Sequence, residues 1–334
     1  MDPEIDMVAI LKDELLPGLP LPTDVFLKLS NGKYVLLAKA GTKSSLGELH
    51  VSQSDQVSAF YIRRNDYLLA VEQNLKIAGI LARRNDIPVP RRSLFLRTAA
   101  ASVFKEMEYT GVHAKAISHS KQVVGALCTL VQSRNDYFQV VSAIHELPGN
   151  AMKEALAGAA LCVLIARELG WQQQTNVEKL ALGAFVRDVG LKEIPPEIVA
   201  KERLYMTAEE RSTWETHSFR GAEILQAIAD TPPEVIAIAM EHHENALGQG
   251  FPQRLRDIKM HPYAKIVCLI DAFVALTIPG PGKTNVKNHN QAMLHIELAM
   301  GCPYNKAIVV ALKRALGIDT VNMNNDGFGM SEAA

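Results

Sequence analysis

From Asn150 to Gly317 the chain reads as a succession of apolar helical segments. Set among them are residues that such helices carry only for a reason: Arg187-Asp188, His217, His242-His243 and Asp271. Asp271 lies in the run LIDAFVALT, and a carboxylate buried there needs a partner. Imidazoles and carboxylates are metal ligands. A guanidinium cannot be one, because it stays protonated and has no free lone pair. The pattern is a set of candidate metal ligands, with an arginine standing beside the aspartate.

The helical reading rests on start and stop signals as well as apolar spacing. AMKEALAGAALCVLIARELG ends on Gly170, a residue suited to the position after a helix C-terminus. Thr207 followed by Glu210 has the spacing of a capping box and opens TAEERSTWETHSFRGAEILQAIAD, read as one helix. PPEVIAIAMEHHE begins with prolines, which a first helical turn tolerates. His242 and His243 are neighbours, so a regular helix would turn them about 100° apart. They share a metal only if the helix stops there, and Glu244-Asn245 mark such a stop. YAKIVCLIDAFVALT and QAMLHIELAMG complete the set.

Upstream the pattern differs. FLKL and YVLLAKA flank Ser30-Asn31-Gly32 and read as a hairpin. SAFYIRR at 58–64 reads as a further strand, with a short helix between it and the hairpin. The expected organisation is a small α+β domain over 1–68, a helical linker or dimerisation segment over 69–149, an all-helical domain over 150–317 and a disordered tail over 318–334. The fold class is mainly α.

Several function classes are disfavoured at once. With 334 residues and a net charge of -1, the chain has no basic footprint for nucleic acid. It has no uninterrupted apolar run of about 18 residues, so no membrane span is expected. The acidic start MDPEIDMVAILKDELLPG does not read as a signal peptide. Cys128, Cys162, Cys268 and Cys302 form no CxxC pair and are expected to be reduced thiols. The Gly280–Gly282 run lacks phosphate-loop spacing. His50, His113, His119, His145, His261, His289 and His295 show no metal pattern.

Five motifs occur in order: Arg187-Asp188-Val189-Gly190-Leu191 with Ile194-Pro195; His217 in HSFRGAEIL; His242-His243-Glu244; Gly250-Phe251-Pro252; and Asp271 in LIDAFVALT. Together they resemble the HD-GYP domain, an all-helical HD-domain bundle whose members are metal-dependent phosphodiesterases acting on cyclic di-GMP. The resemblance implies that Asp188, His217, His242 and His243 hold one divalent transition metal (iron, manganese or zinc), or none. Three imidazoles and a carboxylate suit those ions. Asp271 is the family's distal ligand, left here with either a metal or Arg187 as partner.

This chain departs from the family at the other metal. Arg187 stands at the motif histidine and is expected to act as a cation replacing that ion. Glu154 stands where an earlier histidine is expected and is a candidate carboxylate ligand. Leu191 replaces a lysine. Lys265 keeps a basic position that contacts ligand phosphate, and Gly250, Phe251 and Pro252 correspond to Gly-Tyr-Pro without the tyrosine hydroxyl.

The implied function is a degenerate HD-GYP protein without phosphodiesterase activity, a signalling or interaction module in cyclic di-GMP pathways that pairs with a signalling protein or a second copy of itself. Two alternatives stand beside it: an active phosphodiesterase with an altered metal site, and a non-hydrolytic cyclic di-GMP sensor. The resemblance also implies a bacterial cytoplasmic setting.

Overall fold

The computed structural model describes residues 6–10, 15, 18–43, 60–144, 150–279 and 285–318. His50, His145, the Gly280–Gly282 run, most of the segment expected to hold a short helix, and all but the first residue of the 318–334 tail lie outside them. The chain divides into two compact units, Met1–Leu130 and Val131–Ala334.

The first unit holds a four-stranded antiparallel sheet: β1 (Met7–Ile10), β2 (Val25–Lys28), β3 (Tyr34–Ala38) and β4 (Phe60–Arg63), in the order β1-β4-β2-β3. The expected hairpin is β2–β3. Gly32 closes its turn at φ +82°, a conformation open to glycine, and its N–H donates to the Leu29 carbonyl at 2.9 Å. β4 is the expected further strand. β1 is an addition, pairing with β4 from Met7 opposite Arg63 to Ile10 opposite Phe60.

Helices α1 (Tyr67–Ala82), α2 (Val89–Thr110) and α3 (Ala114–Leu130) complete this unit. The Asn74 amide donates to the Ser102 hydroxyl at 2.9 Å, and Glu106 meets His119 at 2.6 Å, both in buried positions between helices. Thr23 donates to Asp66 and Gln73 to the Pro20 carbonyl, so α1 is tied to the sheet segment as well. The packing therefore places 69–130 with the sheet, whereas the sequence alone sets a boundary at 68.

The second unit is helical: α4 (Arg134–Ile144), α5 (Asn150–Glu168), α6 (Gln174–Val186), α7 (Pro196–Val199), α8 (Ala208–Glu215), α9 (His217–Gln226), α10 (Pro233–Glu241), α11 (Pro262–Thr277), α12 (His289–Leu294), a π-helical turn (His295–Ala299) and α13 (Lys306–Leu316). α5 is the central element. Every residue from Ala155 to Ala166 is buried, as expected of a helix apolar on all sides. It packs on α4, α6, α11 and α13. Gly170 ends it with φ +74°, and the Trp171 N–H returns to the Ala166 carbonyl. The Thr207–Glu210 capping box is formed in both directions. The helix expected from Thr207 is broken at Thr216, so His217 begins α9 rather than lying mid-helix. Among the described residues no helix is long and apolar enough to cross a membrane.

Two glycines let the segments around the histidines approach. A methyl group on Gly190 would lie 2.0 Å from the His217 carbonyl oxygen and 2.5 Å from the Gly221 nitrogen. One on Gly250 would lie 2.3 Å from the His243 carbonyl oxygen. Backbone cannot yield there as a flexible side chain would. Gly190→Ala is expected to destabilise the fold by about 2 kcal/mol or more, read as a lower denaturant midpoint at unchanged slope. A midpoint equal to wild type would show that this approach is not needed.

Candidate metal centre

Three chain segments supply the four residues of the cluster. Asp188 follows the end of α6, His217 opens α9, His242 caps α10 and His243 comes next. The helix ends at Glu241, and the two neighbouring imidazoles lie with ring centroids 4.2 Å apart. One donor atom from each of Asp188, His217, His242 and His243 falls within 4.8 Å of all the others. Ligand atoms at about 2.1 Å from an ion lie about 3 to 4 Å apart, so the set needs at most a modest closing to hold one.

Hydrogen bonds to backbone carbonyls fix the ring orientations. His217 Nδ1 lies 2.6 Å from the Trp214 carbonyl oxygen, and His242 Nδ1 lies 2.9 Å from that of Ala239. A carbonyl only accepts, so each Nδ1 carries the proton and each neutral ring turns a bare Nε2 inward. The two Nε2 atoms are 3.3 Å apart. Asp188 Oδ1 lies 3.3 Å from the His242 Nε2 and 3.6 Å from the His217 Nε2. Three lone-pair atoms thus face one another, an arrangement that calls for positive charge at its centre. Burial pushes the His217 imidazole down to about 4 and holds that of His243 well below the usual range, so protons are poor candidates. Among the described residues, His243 Nε2 is buried with no hydrogen-bond partner. A divalent cation fits this donor set on both counts. If bound, it would supply a Lewis acid at this position.

The neighbouring position is filled by protein. Arg187 is 2% exposed. Its Nε and Nη2 reach Asp271 Oδ1 at 2.9 and 2.7 Å, its Nε lies 3.2 Å from Asp188 Oδ2, and its Nη1 donates to the Ala184 carbonyl at 2.8 Å. Burial opposes this charge, but Asp188, Asp271 and Glu154 outweigh it and hold the guanidinium protonated. In the same way, burial would raise the Asp188 carboxyl, yet Arg187 and the two facing histidines hold it well below the usual carboxylate range. Asp271 Oδ2 also lies 3.7 Å from His243 Nδ1.

The remaining candidates divide. Glu154 is half-buried and acts on Arg187 through its charge. Gly250-Phe251-Pro252 packs beside the cluster, with the Phe251 ring 4.6 Å from that of His243. Lys265 is paired with Asp257 at 3.0 Å, and Asp257 also accepts from Asn305. Two contributors go unremarked in the sequence reading. Trp214 lies 4.5 Å from the His217 ring and 5.2 Å from the His243 ring, and Arg203 covers Trp214 at 4.6 Å. Trp214, one helical turn before His217, was visible as an i, i+3 neighbour. Arg203 carried no such signal.

Arg187→Met would leave two carboxylates facing each other without a countercharge. The expected loss is about 3 kcal/mol of stability, measured by denaturant unfolding. A loss under about 1 kcal/mol would mean that the ion pair is weakly coupled to the fold. The pH dependence of metal-free protein has a definite sign. His217 titrates lower when folded than when unfolded, so its contribution is complete above about 6.5 and is lost as pH falls toward about 4. Asp188 adds a further loss in the more acidic range. His217→Gln is expected to flatten the first of these two steps.

The family profile described as HD domain matches residues 139–307. A cyclic di-GMP phosphodiesterase of Thermotoga maritima is 30% identical over 148 residues, 44% of this chain and 39% of that protein. The cyclic di-GMP phosphodiesterase response regulator RpfG of Xanthomonas campestris pv. campestris is 31% identical over 121 residues, 36% of this chain and 32% of that protein. The match therefore spans well under half the length of either curated relative. Among solved structures, Bd1817, an HDG"Y"P protein from Bdellovibrio bacteriovorus, shares the fold at a TM-score of 0.67 and 19% identity, covering 93% of this chain and all of that one. The chain belongs to the HD domain family, with its motifs in the order of the HD-GYP group.

Proposed function

We propose that this protein is a non-hydrolytic HD-GYP protein, a cytoplasmic signalling module of cyclic di-GMP pathways that holds one divalent ion at a half-site. One observation carries this reading: Arg187 lies between Asp188 and Asp271, with two of its nitrogens on one Asp271 oxygen. A guanidinium neutralises carboxylates as an ion would. It cannot bind a water and lower its pKa, so the second source of nucleophile activation is gone. Loss of that activation removes several kcal/mol of transition-state stabilisation, and each 1.4 kcal/mol is about a tenfold rate. Iron, manganese and zinc all suit the remaining ligands. The partner in this reading is a signalling protein or a second copy of the chain.

A second reading has its own support. Asp188, His217, His242 and His243 keep a complete ligand set for one ion, and a single Lewis acid can still polarise a phosphoryl oxygen. An active one-metal phosphodiesterase is therefore the competing proposal. A turnover assay with cyclic di-GMP and added manganese or ferrous iron separates the two. The expected result is no product above a protein-free control. Hydrolysis that disappears in Asp188→Ala would establish the second reading and end the first.

A further inference from the structure

Arg203 has no role in the site as described so far, and its surroundings are unusual for a free cation. Its guanidinium carbon lies 4.6 Å from the Trp214 ring centroid and 5.8 Å from that of Phe251. Those two rings are the ones that flank the histidines. Trp214 stands 4.5 Å from the His217 ring and 5.2 Å from the His243 ring, and Phe251 stands 4.6 Å from the His243 ring. Arg203 is therefore held one aromatic layer from the metal cluster. A guanidinium bound through its face keeps its N–H donors free, because they project in the plane of the group. Among the described residues no carboxylate is paired with it. Glu215 and Asp271 act on its charge without pairing, and its own charge reaches His243. The residue is solvent-exposed, so an arriving anion can reach the donors.

The other cations near the cluster are already committed. Arg187 is spent on Asp271, Asp188 and the Ala184 carbonyl. Lys265 is spent on Asp257, and position 191 is leucine. A phosphate group has three or more acceptor oxygens in a geometry that a planar fork matches well. We propose that Arg203, lying over the Trp214 ring with Phe251 beside it, is the phosphate-recognising cation of this site and takes one phosphate group of a phosphoester held at the cluster. The inference rests on the half-site reading for the position of that phosphoester, while the recognition itself belongs to Arg203.

The test is a calorimetric titration of the full chain with inorganic phosphate. Wild type, Arg203→Gln and Arg203→Lys are loaded with manganese, desalted and titrated alongside metal-free samples. Arg203→Gln is expected to bind phosphate about tenfold more weakly than wild type at equal manganese per chain and equal Tm. Arg203→Lys, which keeps the charge and loses the fork, should fall between them. A merely structural clamp would move Tm and leave phosphate affinity alone. Equal affinity in wild type and Arg203→Gln overturns the assignment, as does a wild type that binds no phosphate. A wild type that retains no manganese overturns the half-site reading instead, and the metal-free titrations then decide Arg203 by the same comparison. If Arg203→Gln fails to fold by circular dichroism, Arg203→Met, which keeps the apolar stem, takes its place under the same criteria.

Discussion

A guanidinium buried between carboxylates is the constraint around which the helical unit is arranged. Arg187 is 2% exposed, and its fixed charge is balanced there by Asp188 and Asp271. Those two carboxylates come from the end of α6 and from the middle of α11. Removing Arg187 would leave both carboxylates without their countercharge, which costs more than the ion pair itself contributes. The interaction therefore ties α6 to α11 and sets the electrostatics of the adjoining cluster. In the proposed function it is also what separates this site from a two-metal one, since a fixed organic cation balances charge without presenting a water.

Beside it, the histidines are set by backbone rather than by charge. The carbonyls of Trp214 and Ala239 fix two imidazole tautomers, and the end of α10 at Glu241 lets His242 and His243 share one neighbourhood. The glycines at 190 and 250 bring the supporting segments within a distance that a side chain would forbid. Glu244 accepts from the Gln253 and Leu255 amides at 2.7 and 2.9 Å and so braces the segment that carries Phe251. The result is a compact set of lone pairs, shaped for a cation and placed beside a position where a cation is already built into the chain.

Much of this was legible in the sequence because it depends on local signals. The Asn31-Gly32 turn, the Thr207–Glu210 capping box, the prolines opening α10 and the Gly170 stop each act within a few residues. The order of His and Asp motifs identified the helical domain. The parts that were not legible are those set by contacts distant in the chain. β1 is four residues long in an acidic stretch and becomes a strand through pairing with β4. The division at Leu130 groups α1, α2 and α3 with the sheet in one compact unit, which no composition change marks. Lys265 has the residue type expected of a phosphate contact, yet Asp257 holds it at 3.0 Å. Arg203 stacks on Trp214, eleven positions on, through a turn that no short motif encodes.

The central claim is that Arg187 stands in for one metal ion and leaves a site for one other. Metal content per chain, by elemental analysis of protein purified without oxygen or chelator, tests it most directly. The account predicts one tightly held divalent ion in wild type, lost in His217→Ala, and a higher content in Arg187→His. Close to two ions in wild type would contradict it, because Arg187 would then displace nothing. No ion at all would contradict it from the other side and leave a helical scaffold whose site holds only its own ion pairs.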